Sequence, residues 1–475
     1  MPSLADDSVA LGALDGRYRP VIAPLIDHLS EPALNRERLR VEVEWLIHLT
    51  QNDIIPGAPT LTKQEQEQLR RLVTDFGADD IAALGEIERV TQHDVKAIEY
   101  FLKERLAAIA PASSERLGEL IHFGCTSEDV NNLSYALMVR GAIQQVWLPK
   151  AQALVAQVED MARELRAVPL LAHTHGQPAT PTTMGKELAV LAWRLGRQLR
   201  RIEGAEFLGK FNGATGTYGA HLAAVPTADW QGISREFVES LGLTWNPLTT
   251  QIESHDWQAE LYADLARFNR ILHNLCTDVW SYISLGYFAQ VRGQGTIGSS
   301  TMPHKVNPIR FENAEANLEV SNALLDVLAS TLVTSRLQRD LTDSSMQRNI
   351  GSAVGHSLLA LDNVHRGLAG LDAAPEVMAA DLDANWEVLA EPIQSAMRAL
   401  AAQGHEGMAN PYERLKELTR GRRIGPVDLR AFIDGLGLPE DVAARLRALS
   451  PSEYVGLAPE LVSHLDSVGH GQKHP

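Results

Sequence analysis

Five long apolar stripes at helical spacing limit what this chain can fold into. Leu133, Leu137, Val146, Ala151, Leu154, Val158, Met161 and Leu165 recur every three or four residues, the signature of one buried helix face. Leu188, Leu191, Leu195, Leu199 and Ile202 form a second stripe, and Leu261, Leu265, Phe268, Leu272, Leu275, Val279 and Ile283 a third. Phe311, Ala314, Leu318, Leu325, Leu328 and Leu332 form a fourth, and Val354 to Leu368 a fifth. Such stripes exceed the usual helix of about 11–12 residues. Several of them in one chain imply an elongated helical bundle. Leucines and alanines on more than one face imply that the bundle also packs against other copies of itself. Thr126 is placed to cap the first long helix, with Asp129 three residues on. Pro149 inside that stripe predicts a kink rather than a break.

The stripes are flanked by shorter patterns, which divides the chain into three expected helical domains. Residues 1–112 carry breaks at Pro20, Pro32, Pro56-Gly57-Ala58-Pro59 and Gly77, helices over Leu39–Leu49 and Lys96–Ala108, and a hinge at Pro111-Ala112-Ser113-Ser114. Residues 113–370 hold the long-helix bundle. Residues 371–475 are expected to form helices at about 386–402, 411–419, 426–435 and 439–449, with Pro411, Pro426 and Pro439 near their first turns. A disordered tail from His470 to Pro475 follows. No section reads as strand-rich, so the fold class is all-α.

Charge and punctuation exclude several functions. The formal net charge is −17, which argues against a nucleic-acid backbone or an anionic membrane as partner. An anionic substrate would need cations concentrated in a pocket. The N-terminus lacks the basic and apolar regions of a signal peptide, and no apolar run approaches the roughly 18 residues of a membrane span. Cys125 and Cys276 are too far apart in sequence to suggest a metal site, and read as reduced thiols of a cytoplasmic protein.

Five polar stretches interrupt the stripes. Gly298-Ser299-Ser300-Thr301-Met302-Pro303-His304-Lys305-Val306-Asn307-Pro308 has no hydrophobic period, and Gly286, Gly293 and Gly295 precede it. That makes it a mobile loop rich in reactive groups, a lid rather than a connector. His173-Thr174-His175-Gly176-Gln177-Pro178-Ala179-Thr180-Pro181 reads plainly as a helix–helix connector, with Thr180 or Thr182 capping the second helix. Two imidazoles in so stiff a turn also suit acid–base work. His122-Phe123-Gly124-Cys125-Thr126-Ser127 is a capped helix start that doubles as an anion site. Thr91-Gln92-His93-Asp94 is another capped start. Arg336 to Arg348, with Arg339 and Ser344 inside it, is either a salt-bridged turn or a phosphate clamp. The basic run from Arg414 to Arg423 reads as a solvated face.

Together these stretches resemble the fumarase/aspartase superfamily, and within it the bacterial branch of the adenylosuccinate lyase family. Ser299-Ser300-x-Met302-Pro303-x-Lys305-x-Asn307 is specific to the superfamily. Thr174-His175-Gly176-Gln177-Pro178-Ala179-Thr180-Pro181 and Gln338-Arg339-Asp340-Leu341-Thr342-Asp343-Ser344 carry the branch. The likeness runs from Asp15-Gly16-Arg17-Tyr18 to about Gly421. It implies three helical domains, a homotetramer with each active site shared between subunits, no cofactor and no metal. It implies elimination of fumarate from a succinylated nitrogen on two ribotide substrates. By the same resemblance Ser299 is the base, His175 the acid and Glu312 the carboxylate that orients it. Lys305 and Asn307, with Thr126 and Ser127, hold the succinyl carboxylates. Gln92, His93, Asp94 and His122 line the substrate, and Arg17, Tyr18, Gln251, Arg339, Ser344 and Arg348 contact the nucleotide. The rivals are a lyase acting on argininosuccinate and a catalytically silent relative such as a lens crystallin.

Overall fold

The computed structural model describes residues 10–290, 305–419 and 424–467. The stripes fold as helices: Met184–Glu203, Asp256–Ser284, Ile309–Leu332 and Ile350–Leu368. The first stripe is one continuous helical run, Ser127–Gly141, a π-helical turn at Ala142–Trp147, then Leu148–Glu164. The wide turn lies just where Pro149, which has no N–H, enters the helix. A π-bulge absorbs such a defect without ending the run. Asp129 Oδ2 accepts the Thr126 N–H at 2.8 Å at its start, as the sequence spacing indicates.

By internal contacts the described chain groups into two compact units, each discontinuous in sequence. The first comprises Met1–Ala151, Gln198–Arg270 and Ala316–Asp362. Here the long helices are cross-linked by a buried polar chain. Trp147 Nε1 donates to Ser357 Oγ and Ser357 Oγ to Asn269 Oδ1, both at 2.8 Å. Asn269 Nδ2 donates to Ser321 Oγ at 3.1 Å, and Ser321 Oγ to the Ala353 carbonyl at 2.7 Å. Every member has a partner, so the chain fixes helix register rather than costing unpaired groups. The helix Glu31–Gln51, capped by Ser30 Oγ on the Ala33 N–H at 3.2 Å, is buried almost all round. Its Trp45 ring meets Phe211 and Phe237 at 4.4 and 4.9 Å, and its Nε1 donates to the Phe123 carbonyl at 3.0 Å. Burying one such aromatic stabilises by about 2–3 kcal/mol, and the indole anchors the segment leading into Thr126.

The second unit comprises Gln152–Arg197, Ile271–Glu315 and Asn363–Pro475. The helices Pro411–Thr419, Pro426–Asp434 and Glu440–Ala448 appear where the prolines start them. They close an apolar core around Ile393, Met397, Leu415, Leu429 and Ile433. The stretch read as a helix–helix connector is an antiparallel β-hairpin instead, Pro169–Thr174 paired with Gln177–Thr183. His175 and Gly176 form its two-residue loop, with φ of 53° and 71°. Positive φ at both positions is the turn that matches strand twist. Pro178 and Pro181 fit because a two-stranded ribbon leaves one edge of each strand unpaired. The cap of the following helix is Thr183, whose Oγ1 accepts the Lys186 N–H at 3.2 Å, one residue beyond the expected Thr182.

Candidate active site

In the first unit five distant segments meet around a cavity of about 500 Å³. Gln92, His93, Asp94, Thr126, Ser127, Gln251, Arg339, Ser344 and Arg348 all line it. Thr126 and Ser127 stand at the start of the Ser127–Gly141 helix, where backbone N–H groups lack intrahelical acceptors and the helix dipole is positive. His93 caps the helix Asp94–Ile109: its Nδ1 accepts the Lys96 N–H at 3.2 Å. Nδ1 is therefore the acceptor and Nε2 carries the ring proton. Gln92 takes a left-handed conformation, φ 51°, and its Nε2 donates to the Arg89 carbonyl at 2.8 Å. Gln251 Nε2 donates to the Ala214 carbonyl at 2.8 Å.

The cations on this wall are held by carboxylates. Arg339 pairs with Glu128 at 2.7 Å and donates to Ser344 Oγ at 3.2 Å. Arg348 pairs with Glu31, and reaches Asp94 at 3.6 Å. Burial alone would raise the Asp94 carboxyl, but the Arg38 and Arg348 guanidiniums and the Val95 N–H outweigh it and hold Asp94 below its ordinary value. The arm carrying Arg339 and Ser344 is pinned twice. Asp340 accepts the Thr342 and Arg336 N–H groups at 2.8 and 3.0 Å and is held down to about 2. Asp343 accepts the Ser344 N–H at 2.7 Å and contacts His255 Nε2 at 3.4 Å. Burial pushes Asp343 up, but His255, the Ser344 N–H and Arg339 bring it below the usual carboxylate range.

Sequence reasoning missed Arg38, Glu128, Asn131 and Tyr135, which also line the cavity. Arg38 is 4% exposed and spends its guanidinium on Asn131, Asn35 and Asp94, so it builds the wall. The available signal was a charge on the buried face of a helix, four residues after Leu34 and seven before Trp45. Arg339 and Arg348 keep further N–H donors, since each guanidinium has five. Two forked cations, the hydroxyls of Thr126, Ser127 and Ser344, and a helix N-terminus suit a polar, anionic ligand.

Two groups of expected residues lie away from this cavity. His122, φ 60°, is not on its lining. Its Nδ1 sits 2.6 Å from Glu42 Oε1, while its N–H donates to Glu42 Oε2 at 3.0 Å. Burial would lower the imidazole, but the Glu42 hydrogen bond and charge prevail and raise it. Arg17 is exposed, its guanidinium 6.0 Å from the Tyr18 ring centroid, and neither lines the cavity.

The remaining residues belong to the second unit. His175 is exposed at the hairpin tip. Its neighbours His173 and Gly176 line a cavity of about 470 Å³ together with Trp280, and Trp280 Nε1 donates to Glu312 Oε1 at 3.2 Å. Glu312 stands in the first turn of the Ile309–Leu332 helix, and Lys305 and Asn307 are exposed just before it. Ser299 lies outside the described residues, as does the loop from Gly298 to His304 and the tail from His470. Among the described residues no group of three His, Cys, Asp or Glu side chains is placed to hold a metal, and no helix is long and apolar enough to cross a membrane.

A long-helix scaffold with an anion-ready cavity and a histidine-tipped hairpin defines a class, the helical lyases. Residues 16–321 match the family model described as Lyase, and residues 335–455 the one described as Adenylosuccinate lyase C-terminal. The adenylosuccinate lyase of Escherichia coli (strain K12) is 49% identical over 456 residues, covering 96% of this chain and 98% of that protein. Those of Vibrio cholerae and Haemophilus influenzae are 48% and 47% identical over similar spans, 96% of this chain and 98% of each relative. Among solved structures, a fumarate lyase from Mesorhizobium sp. BNC1 matches at TM-score 0.73 and 19% identity, covering 99% of this chain and 100% of that one, a likeness of fold. The chain belongs to the adenylosuccinate lyase family of the fumarase/aspartase superfamily.

Proposed function

We infer that this chain eliminates fumarate from adenylosuccinate, leaving AMP, and from the succinocarboxamide ribotide of purine synthesis, leaving the aminoimidazole carboxamide ribotide. The observation that carries the reading is the first unit's cavity, where Thr126, Ser127, Gln251, Arg339, Ser344 and Arg348 come together from three segments. A ribotide needs such a wall: guanidiniums for its phosphate, hydroxyls and helix N–H groups for its succinyl carboxylates.

The reaction removes a weakly acidic C–H proton beside a carboxylate while the C–N bond breaks, and the departing nitrogen takes a proton. Ser299 is the base in this reading and His175 the acid, oriented by Glu312. A serine alkoxide must be stabilised by about 1.36 kcal/mol per unit of pKa depression. A water-poor site with donors around the Ser299 hydroxyl would supply that environment. Lys305 and Asn307 take the charge that develops on the succinyl carboxylate. Catalysis proceeds in a cytoplasmic homotetramer whose sites are shared between subunits, and this accounts for reactive residues spread along the sequence. The test is fumarate release by the purified protein. Release from adenylosuccinate and none from argininosuccinate is expected; the reverse pattern would assign the chain to the rival activity.

A further inference from the structure

Beneath the Thr126–Ser127 turn lies an ion pair that the reaction does not use directly. Lys210 Nζ and Asp129 Oδ1 are 2.8 Å apart, and both side chains are wholly shielded from solvent. Neither lines the cavity. Asp129 is also the acceptor for three backbone N–H groups: Thr126 at 2.8 Å, Asn212 at 2.9 Å and Gly213 at 3.1 Å. One helical turn on, Asn132 clamps the Lys210 backbone, its Oδ1 accepting the N–H at 2.8 Å and its Nδ2 donating to the carbonyl at 3.0 Å. The 210–214 segment is thus welded to the first turn of the helix. Its far side holds another cavity wall, because Asn212 Nδ2 donates to Thr249 Oγ1 and Gln251 Nε2 to the Ala214 carbonyl, each at 2.8 Å.

A buried pair of this kind is a poor way to gain stability, since desolvation offsets much of the attraction and apolar replacements are often as stable. Its geometry does something an apolar pair cannot. The Asp129 carboxylate ties up N–H groups of two segments at once. By itself that carboxylate would oppose the positive end of the helix, weakening its hold on an anion; the Lys210 ammonium cancels it.

We propose that the Lys210–Asp129 pair is a positioning device for the substrate cavity, fixing Thr126 and Ser127 relative to Gln251 and keeping the helix N-terminus free to bind an anionic group. This rests on reading that cavity as the ribotide site. The pair acts through binding, so its loss raises KM more than it lowers kcat.

The experiment measures both constants on adenylosuccinate for Lys210→Met, for Lys210→Met with Asp129→Asn, and for Thr249→Val. The double variant has no buried charge and close to the original volumes. Its KM is expected to rise about ten-fold with kcat within about three-fold. Lys210→Met alone is expected to raise KM further, because the carboxylate is then uncompensated. Thr249→Val nearly keeps the shape and cuts the Asn212 link together with the hydroxyl's own bond to the Thr250 carbonyl, so KM rises about three-fold. Should the charge variants not fold, this last comparison decides. A folded double variant, or Thr249→Val, with wild-type KM overturns the proposal. Arg348→Gln on the cavity wall separates the two readings: if it raises KM while these variants do not, only the positioning role is wrong. If it too leaves KM unchanged, the assignment of the cavity fails.

Discussion

At the scale of single residues, the cavity works by sharing its cations. Arg348 is 44% exposed and its partner Glu31 is 64% exposed, so this pair contributes little to stability. The guanidinium can then turn its donors to a phosphate at small cost. Arg348→Gln is expected to raise KM for adenylosuccinate by roughly 10–100-fold, the loss of one charge-assisted hydrogen bond worth about 1.5–3 kcal/mol. Its thermal midpoint should stay close to that of the parent. A large drop in midpoint with unchanged KM would make Arg348 a structural residue. Glu42 and His122 are the opposite case, a buried carboxylate against a half-buried imidazole, and the pair is expected to act on stability. His122 is held above its ordinary 6.5. The pair therefore adds stability that is fully present below the unfolded value and is lost as pH climbs through the raised one. The advantage of the parent over Glu42→Gln should be about 1–3 kcal/mol near pH 6 and shrink as the pH rises above 6.5. Chemical denaturation across that range checks it; an advantage that grows with pH would reverse the sign assigned to His122.

At the scale of elements, helices announced themselves where apolar period, caps and prolines agreed. Pro411–Thr419 starts at its proline, and the Ser127 helix begins at Thr126 with Asp129 in place. Pro149 gave a local signal, but the π-helical turn that accommodates it is set by packing and has no residue pattern of its own. The His175 hairpin was illegible for a different reason. Its strands are short, proline-bearing and without clean alternation, and His-Gly is a less familiar turn pair than Asn-Gly. The resemblance singled out this motif, but its shape could not be read from it. The turn also sets a sharp test. Asn tolerates the left-handed conformation that His175 adopts at φ 53°, so His175→Asn should keep the hairpin and the melting temperature. Turnover should fall by at least about 100-fold with the general acid gone. Near-normal turnover would remove His175 from that role.

At the scale of the whole molecule, residues that line the cavity were easier to read from sequence than the residues that support them. The cavity-lining Thr126, Ser127, Arg339 and Ser344 lie in recognisable motifs. Their supports, Arg38, Asp129, Lys210 and His255, are scattered polar residues that each have a partner 56 to 93 positions away in the chain, beside any local one. No local period can pair them. The chain's two compact units each carry part of the expected machinery: ribotide-binding residues in the first, His175, Glu312, Lys305 and Asn307 in the second. In the proposed function one site, shared between subunits, performs the same elimination on both ribotides. The most direct measurement is AMP formation from adenylosuccinate in the presence of the succinocarboxamide ribotide, with total fumarate release followed alongside. One site predicts purely competitive inhibition, with an inhibition constant equal to the KM of the ribotide as a substrate. Inhibition that leaves the apparent KM unchanged, or additive rates from the two substrates at saturation, would contradict it.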